Sequence, residues 1–203
     1  MADEPTSLRA RRAQLTRDEI LTAARRLFAE RGYSRTSVRD IAREAGVSAQ
    51  TVYDSIGSKR ALVARLNDVI DVEAGVAEIA RRAAESLDPH EIVITGARIT
   101  RSILEHCGDI IRALVTGAAA EPDLAAVLDE GHRRHLAGAA RTVETLDRLG
   151  ALAPSLEQAD AVESLAAVTD FRFALVLRDD YGWSLDRIEN WIASTSQTLL
   201  LET

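Results

Sequence analysis

The sequence is poor in residues that cross-link a chain, interrupt helices or span a membrane. Its 203 residues include one cysteine, Cys107, which excludes an internal disulfide framework. Only four prolines and 4% aromatic residues occur, which favours helices throughout. No apolar run approaches the roughly 20 residues of a membrane span, and residues 1–15 are charged where a secretory signal would be apolar. We therefore expect a cytoplasmic, all-α protein with no membrane partner.

Motifs that carry catalysis are also missing. The chain has no phosphate-binding glycine loop, no G-x-S-x-G elbow and no cysteine cluster. His106 and Cys107 are neighbours, and neighbouring side chains on a helix point about 100° apart, which does not suit a nucleophile and its base. His132 and His135 could face one metal ion, but the two arginines between them repel a cation and no third ligand is evident. The sequence thus predicts neither an enzyme nor a cofactor or metal.

Charge is unevenly distributed along the chain. The net charge is −7, and 46% of the residues are hydrophobic, which is ample for a buried core. Residues 1–65 contain 13 Lys and Arg against 8 Asp and Glu, a balance of +5, and the remainder contains 12 against 24, a balance of −12. This distribution suits a protein that contacts phosphates through its basic residues 1–65, while the acidic remainder is repelled by them.

A short stretch near the start has the pattern of two helices joined by a tight turn. Apolar residues recur at helical spacing up to Ala45, and Gly46 can adopt the positive φ that ends a helix sharply. Ser48 is suited to cap a second short helix, whose Val52 and Ile56 would point inward. This pattern predicts a helix-turn-helix.

The outward side of that second helix would form a surface that reads DNA. Gln50 is the strongest candidate base reader, because its amide can pair with adenine N6 and N7 together. Small neighbours would let the backbone approach the bases, and the surrounding hydroxyl and basic groups would contact phosphates. The predicted DNA-binding residues are Thr36, Ser37, Arg39, Ser48, Ala49, Gln50, Thr51, Tyr53, Ser58 and Lys59.

The same stretch resembles the signature of the TetR family of bacterial transcriptional regulators. The resemblance covers about the first third of the chain and implies a palindromic operator in double-stranded DNA as partner. Ser55 stands where the family usually has a His or Tyr that contacts phosphate, and Ile56 where it usually has a core Phe. The matching residues are Gly32, Tyr33, Thr36, Ile41, Ala42, Ala45, Gly46, Val47, Ser48, Thr51, Val52, Tyr53, Lys59 and Leu62.

Helical patterns continue through the rest of the chain. We expect a flexible arm over residues 1–15, a three-helix helix-turn-helix DNA-binding domain over 16–57, and a larger helical ligand-binding and dimerisation domain over 58–203. A capping box at residues 16–19 would start the first helix, and a fourth helix from Ser58 would join the two domains. Further helices are predicted over 88–107, 109–119, 122–149, 155–178 and 184–201.

The last two of these helices have the most apolar surface to bury, and the first of them is apolar on nearly all sides. Such helices must be internal or must meet another subunit, and internal packing stays open as the alternative. The family resemblance implies a four-helix dimer interface built from this pair. The predicted interface residues are Leu165, Val168, Leu175, Ile188, Trp191 and Ile192.

Polar groups among the apolar residues of the body are candidates for a ligand pocket, because a mostly apolar cavity needs a few orienting contacts. The alternative is that they are satisfied core or surface groups. The leading hypothesis is a homodimeric transcriptional regulator, a repressor released by a small-molecule effector. A DNA-binding dimer without an effector, and a helical enzyme or interaction module, remain as alternatives. The candidate pocket residues are Thr100, Arg101, Arg112, Asp170 and Arg172.

Overall fold

The structure is a computed structural model that describes residues 8–201. The all-α prediction is confirmed over this range, where the one pairing of extended backbone is an isolated bridge between Leu152 and Leu201. No helix in the described range is long and apolar enough to cross a membrane. The helices are α1 Leu8–Arg31, α2 Val38–Glu44, α3 Ala49–Ser55, α4 Lys59–Glu73, α5 Val76–Glu85, α6 Pro89–Val93, α7 Thr95–Gly117, α8 Pro122–Arg148, α9 Gln158–Val168, α10 Phe171–Asp179 and α11 Leu185–Leu200.

The described chain divides into two compact units. The first contains the residues up to Asp68 together with Ala113–Val127, and the second contains Val69–Arg112 and the residues from Leu128 onward. Helices α4, α7 and α8 therefore each contribute residues to both units. This division differs from the boundary expected after residue 57, because the start of α4 and the turn between α7 and α8 also belong to the first unit.

Helix α1 begins at Leu8, eight residues before the predicted start. No Gly or Pro occurs between Leu8 and Arg31, and most residues in the added turns are strong helix formers. Gln14 donates to Asp18 Oδ1 at 2.8 Å and accepts from Arg17 at 2.8 Å, contacts that support a helix already formed at these positions. Residues 8–15 are therefore helical instead of a flexible arm, and residues 1–7 lie outside the described range.

The first unit closes around the inward faces of its first three helices. Helix α1 packs against both α2 and α3, which also pack against each other. Helices α2 and α3 have seven residues each, too few to be stable alone in water, so their geometry depends on this packing. The buried residues are Ile20, Ala23, Ala24, Leu27 and Phe28 of α1, Val38, Ile41 and Ala42 of α2, and Val52 of α3.

The second unit has its own apolar core, built from α6, α8, α9 and α11. Gly150 takes a φ of 65° just after α8, as expected for a glycine that ends a helix. The chain then turns so that the Ala153 amide donates to the Leu200 carbonyl at 2.8 Å. The buried core residues include Ile92, Val93, Val143, Leu146, Ala161, Leu165 and Leu200.

Two predicted helices of the body are divided differently in the structure. The helix expected over 88–107 starts at the predicted place, where Asp88 accepts from the His90 amide, but it stops at Val93. A new helix, α7, then runs through a kink at Cys107 (φ −132°, ψ 16°) to Gly117. Gly108 follows the kink, and a Cβ there would lie 2.8 Å from a guanidinium nitrogen of Arg178, so a larger residue would displace this arginine side chain.

The helix expected over 155–178 breaks at Thr169 and Asp170. Asp170 accepts from the Arg172 amide at 2.7 Å and so caps a separate helix, α10. Helix α5, Val76–Glu85, was not predicted, although Arg81 and Arg82 each form an ion pair with Glu78 on its surface.

Candidate nucleic-acid interface

Local capping bonds fix the turn between α2 and α3. The Ser37 hydroxyl accepts from the Asp40 amide at 3.1 Å while Asp40 accepts from the Ser37 amide at 3.0 Å, forming a complete capping box. The bonds from Ser37, with Arg43 nearby, lower the pKa of Asp40, which keeps this carboxylate ionised at neutral pH. Gly46 takes a φ of 68°, and Ser48 then caps α3 by accepting from the Thr51 amide at 3.0 Å.

Helix α3 has one buried side and one exposed side. Val52 is completely buried, while Gln50 is exposed and Tyr53 is 52% exposed. Ala49 and Thr51 lie half-buried at the edge between the two sides. This is the orientation that the sequence pattern predicts, and it leaves an amide, a hydroxyl and a phenol on one accessible helical face.

The side chain of Gln50 is held by a neighbour on the same helix. Its Nε2 donates to Asp54 Oδ1 at 2.7 Å, one turn further along α3. An amide nitrogen carries two hydrogens, so this bond leaves the pair of groups that adenine requires, one donor for N7 and one carbonyl acceptor for N6. The Asp54 bond therefore orients the amide without preventing base recognition.

Thr36 does not belong to the exposed surface. Only 2% of it is accessible, and its hydroxyl donates to the Gly32 carbonyl at 2.9 Å and lies 3.3 Å from the Leu27 carbonyl. The hydroxyl therefore joins Thr36 to the last turn of α1 and to the glycine that follows it. The expected DNA contact of Thr36 is corrected to a structural role.

Three other predicted phosphate contacts, Ser37, Arg39 and Ser58, are exposed. Ser58 also accepts from the Ala61 amide at 3.2 Å, so its hydroxyl lies at the start of α4.

Lys59 is half-buried and held within the first unit. Its Nζ donates to the Tyr33 carbonyl at 2.5 Å and lies 3.7 Å from the centre of the Tyr33 ring. Burial lowers the pKa of Lys59, and the nearby carboxylates of Glu121 and Asp123 act in the opposite direction. An ammonium group has three hydrogens, so the bond to Tyr33 is compatible with a phosphate contact.

Two predicted pocket residues make structural contacts in the second unit. Thr100 is 3% exposed and donates to the Thr169 carbonyl at 2.8 Å, which satisfies its hydroxyl. Arg101 forms ion pairs with Asp186 at 2.7 Å and Glu189 at 2.9 Å. Both residues thus have partners within the chain, as the alternative interpretation expected.

The remaining three pocket candidates also bind partners in the second unit. Arg112 pairs with Asp179 at 2.7 Å, and the Arg172 Nε lies 3.0 Å from both Asp170 carboxylate oxygens. Burial raises the pKa of Asp170, but the bonds from Arg172 outweigh that effect and lower it. These side chains join or cap helices, as the alternative interpretation expected, and their assignment to a ligand pocket stays a prediction.

Four of the predicted dimer residues are buried by their own chain. Leu165, Leu175, Ile188 and Ile192 are each at most 6% exposed, so their side chains are not available to a partner. Val168 and Trp191 are half-buried. The exposed apolar residues in this region are Phe173 at 41%, Val176 at 41% and Leu199 at 43%.

The histidine and cysteine candidates make contacts of their own. His135 Nε2 lies 2.9 Å from the Ala166 carbonyl, and the completely buried Cys107 thiol donates to Glu73 at 3.5 Å. Among residues 8–201, no three His, Cys, Asp or Glu side chains are grouped so as to hold a metal ion.

Tyr33 has a structural role that its place in the family signature does not indicate. Its ring packs against Phe28 with centroids 5.3 Å apart and supports Lys59. The adjoining Gly32 was a signal of a special turn, but the contact with Lys59 joins residues 26 positions apart. The exposed side of α10 was missed for a similar reason, since Leu175 and Val176 are equally apolar and only packing distinguishes them.

The fold and this surface define a helix-turn-helix protein with a second helical unit. Residues 20–66 match the family described as bacterial regulatory proteins, tetR family. This match covers the helix-turn-helix part of the chain, and the curated relatives that resemble the chain are named as HTH-type transcriptional regulators.

Curated relatives match less than half of this chain. The HTH-type transcriptional regulator AlkX of Mycobacterium tuberculosis is 44% identical over 48 residues, covering 24% of this chain and 23% of AlkX. The HTH-type transcriptional regulator TtgR of Pseudomonas putida is 36% identical over 77 residues, covering 38% of this chain and 37% of TtgR. The matched part therefore spans well under half the length of either relative.

Solved structures match over almost the whole chain. SmeT of Stenotrophomonas maltophilia, in a complex with triclosan, has a TM-score of 0.78 at 20% identity and covers 93% of both chains. NalD, the secondary repressor of the MexAB-OprM multidrug efflux pump in Pseudomonas aeruginosa, has a TM-score of 0.73 at 23% identity, covering 95% of this chain and 98% of NalD. At these identities the likeness shows a shared fold.

Proposed function

We propose that this protein is a homodimeric, sequence-specific DNA-binding transcriptional regulator that acts in the cytoplasm. We further propose that it is a repressor released when a small-molecule effector binds the second unit. The observation that carries the DNA-binding proposal is the exposed face of α3, where Gln50 and Tyr53 are accessible beside the buried Val52.

Several features support base reading by α3. A recognition helix enters the major groove with its N-terminal side chains against the base edges. Gln50 lies in the first turn of α3, and its neighbours Ala49 and Thr51 are small enough to allow close approach. Residues 1–65 carry the balance of +5, which suits attraction to phosphates.

In-vitro selection tests this proposal without knowledge of the target genes. The purified protein would be used to enrich duplexes from a randomised library, and the enriched pool would be sequenced. We expect a symmetric motif whose half-sites are spaced about 10 base pairs apart, or a multiple of that, since two recognition helices related by a two-fold axis bind one face of DNA. A pool without an enriched motif would contradict the proposal.

The exposed apolar side of α10 and α11 supports the proposed dimer. Phe173, Val176 and Leu199 expose apolar area that association would bury, and the Trp191 ring lies 5.5 Å from that of Phe173. Val176→Arg should therefore yield monomers in sedimentation experiments. Val72→Arg is the matched control, because Val72 is 80% exposed on α4 and should tolerate the same change. A Val176→Arg variant that sediments as the wild-type dimer would place the interface elsewhere.

Effector control is proposed from the family and from the continuity of α4. This helix begins with Lys59 in the first unit and ends in the second, so a ligand that prefers another arrangement of α4 would weaken DNA binding. Thermodynamic linkage requires bound DNA to weaken the binding of the ligand by the same factor, roughly 5–150-fold.

Triclosan, bound in the SmeT complex, is a suitable first probe in a thermal-shift screen. For each hit, the dissociation constant would be measured with and without the selected duplex. Equal constants for every hit would favour the alternative, a DNA-binding dimer without effector control.

A further inference from the structure

The segment over residues 118–123, called the α7–α8 turn below, includes the first residues of α8 and carries two carboxylates that bind the helix-turn-helix region of the first unit. Glu121 and Asp123 lie within Ala113–Val127, the segment that belongs to this unit. Tyr33 donates its phenol hydrogen to Asp123 Oδ2 at 2.9 Å, and Ser34 donates its hydroxyl hydrogen to Glu121 Oε1. Hydrogen bonds to carboxylates are among the stronger ones in proteins. The turn is therefore attached to the helix-turn-helix by two such bonds.

Asp123 holds Tyr33 in a defined orientation. Tyr33 is 8% exposed, and its ring packs at 5.3 Å from that of Phe28, so the hydroxyl is the polar tip of a buried ring. Burial raises the pKa of the phenol, and the bond to Asp123 raises it further. The hydroxyl therefore stays protonated at neutral pH. It can donate its hydrogen to the Asp123 carboxylate, which is an acceptor.

Tyr33 in turn holds Lys59. The ammonium group contacts Tyr33 twice, through the bond to its carbonyl at 2.5 Å and through the face of its ring at 3.7 Å. A cation over an aromatic face is attracted by the ring, so the position of the ring helps to set the position of the charge. Asp123, Tyr33 and Lys59 thus form a continuous chain of contacts from the α7–α8 turn to the start of α4.

We propose that Tyr33 and Asp123 are positioning residues that hold Lys59 where it contacts a DNA phosphate. This inference rests on the proposed DNA-binding function and deepens it, because it makes the α7–α8 turn part of the support of the DNA-binding surface. A bond that only stabilised the fold would change the melting temperature without changing the number of phosphate contacts. The salt dependence of DNA binding separates these two roles, since its slope reports phosphate contacts.

The test uses the full-length protein and the duplex obtained by in-vitro selection. Tyr33→Phe removes only the hydroxyl, and Tyr181→Phe makes the same change at a residue that is 70% exposed in the second unit. The dissociation constant would be measured over a range of salt concentrations. We expect Tyr33→Phe to reduce the slope by about one unit per half-site, as Lys59→Met does, while Tyr181→Phe keeps the wild-type slope. The double variant Tyr33→Phe, Lys59→Met should show no further reduction.

Substitutions of Asp123 separate the acceptor from the charge. Asp123→Asn keeps an oxygen that can accept from Tyr33, whereas Asp123→Ala does not, and both remove the same charge. We expect the slope of Asp123→Ala to resemble that of Tyr33→Phe and the slope of Asp123→Asn to stay closer to the wild type. Melting temperatures of all variants would identify any that fail to fold.

The outcomes distinguish this inference from the function on which it rests. Sequence-specific binding by the wild type tests the function, and only the variants test the positioning role. A wild-type slope in Tyr33→Phe, or additive effects of Tyr33→Phe and Lys59→Met, would overturn the inference while leaving DNA binding intact.

Discussion

Helices α2 and α3 of the first unit and helices α10 and α11 of the second unit show how differently sequence constrains two surfaces. In the first pair, caps at Ser37 and Ser48 and the turn at Gly46 fix where each short helix begins and which side faces inward. In the second pair, apolar residues lie on several sides of α10 and recur along α11, so pattern alone does not separate the core side from the exposed side. The first surface is polar and the second apolar, in keeping with proposed contacts to DNA and to a second subunit.

The largest expected effect separates the two sides of α11. Ile192 is completely buried, so Ile192→Ala should lower the free energy of unfolding by about 2–5 kcal/mol through lost burial and a residual cavity. Leu199 is 43% exposed on the same helix, so Leu199→Ala should cost less than about 1 kcal/mol in an isolated protomer. Denaturant unfolding at several protein concentrations would measure both effects. Equal losses would contradict the burial assigned to α11.

A second prediction concerns base reading by α3. Gln50→Ala removes the amide that can pair with adenine, so discrimination at one position of each half-site should fall by about 1–3 kcal/mol. Dissociation constants for the selected duplex and for single-base variants would give this value. Arg39→Ala serves as a comparison, because a phosphate contact should weaken binding to every duplex alike. Loss of discrimination in Arg39→Ala but not in Gln50→Ala would reverse these assignments.

A third prediction tests the structural role of Thr36. Thr36→Val keeps the shape but removes the hydroxyl that binds the Gly32 carbonyl, and should lower the free energy of unfolding by about 1–3 kcal/mol. Thr36→Ser keeps the hydroxyl and should lower the free energy of unfolding by less than Thr36→Val does. Base discrimination, measured under conditions where the protein is folded, should be unchanged in both variants. Altered discrimination in Thr36→Val with unchanged stability would return Thr36 to the DNA-binding surface.

The smallest expected effect concerns Asp54. Its carboxylate lies exposed beside Gln50 and repels phosphates, so Asp54→Asn should strengthen binding to all duplexes by less than about 1 kcal/mol. The amide oxygen of Asn can still accept from Gln50, and base discrimination should therefore persist. Anisotropy titrations with the selected and a scrambled duplex would show both points. Weaker binding to both duplexes would contradict a repulsive role.

The sequence was informative wherever a local signal determines the structure. Ser48, Gly46 and Val52 predicted the cap, the turn and the buried side of α3, because each effect acts within a few residues. The burial of Thr36 was not predicted because its partners, the carbonyls of Leu27 and Gly32, come close only when the turn after α1 forms. Asp170 followed by a helical pattern is a local capping signal for the start of α10.

Other features depend on contacts between distant parts of the chain. The bond between Tyr33 and Asp123 joins residues 90 positions apart, and no local pattern indicates it. The pairing of Arg101 with Asp186 and Glu189 likewise appears only after folding, because the partners are more than 80 positions away in the sequence.

The most direct test of the proposed DNA recognition compares two dissociation constants of the wild-type protein at physiological salt. One is measured with the duplex obtained by selection and the other with a duplex of the same length and composition but scrambled sequence. If α3 reads bases, the selected duplex should bind at least about 1,000-fold more tightly. Equal constants for the two duplexes would contradict sequence-specific recognition by this helix-turn-helix.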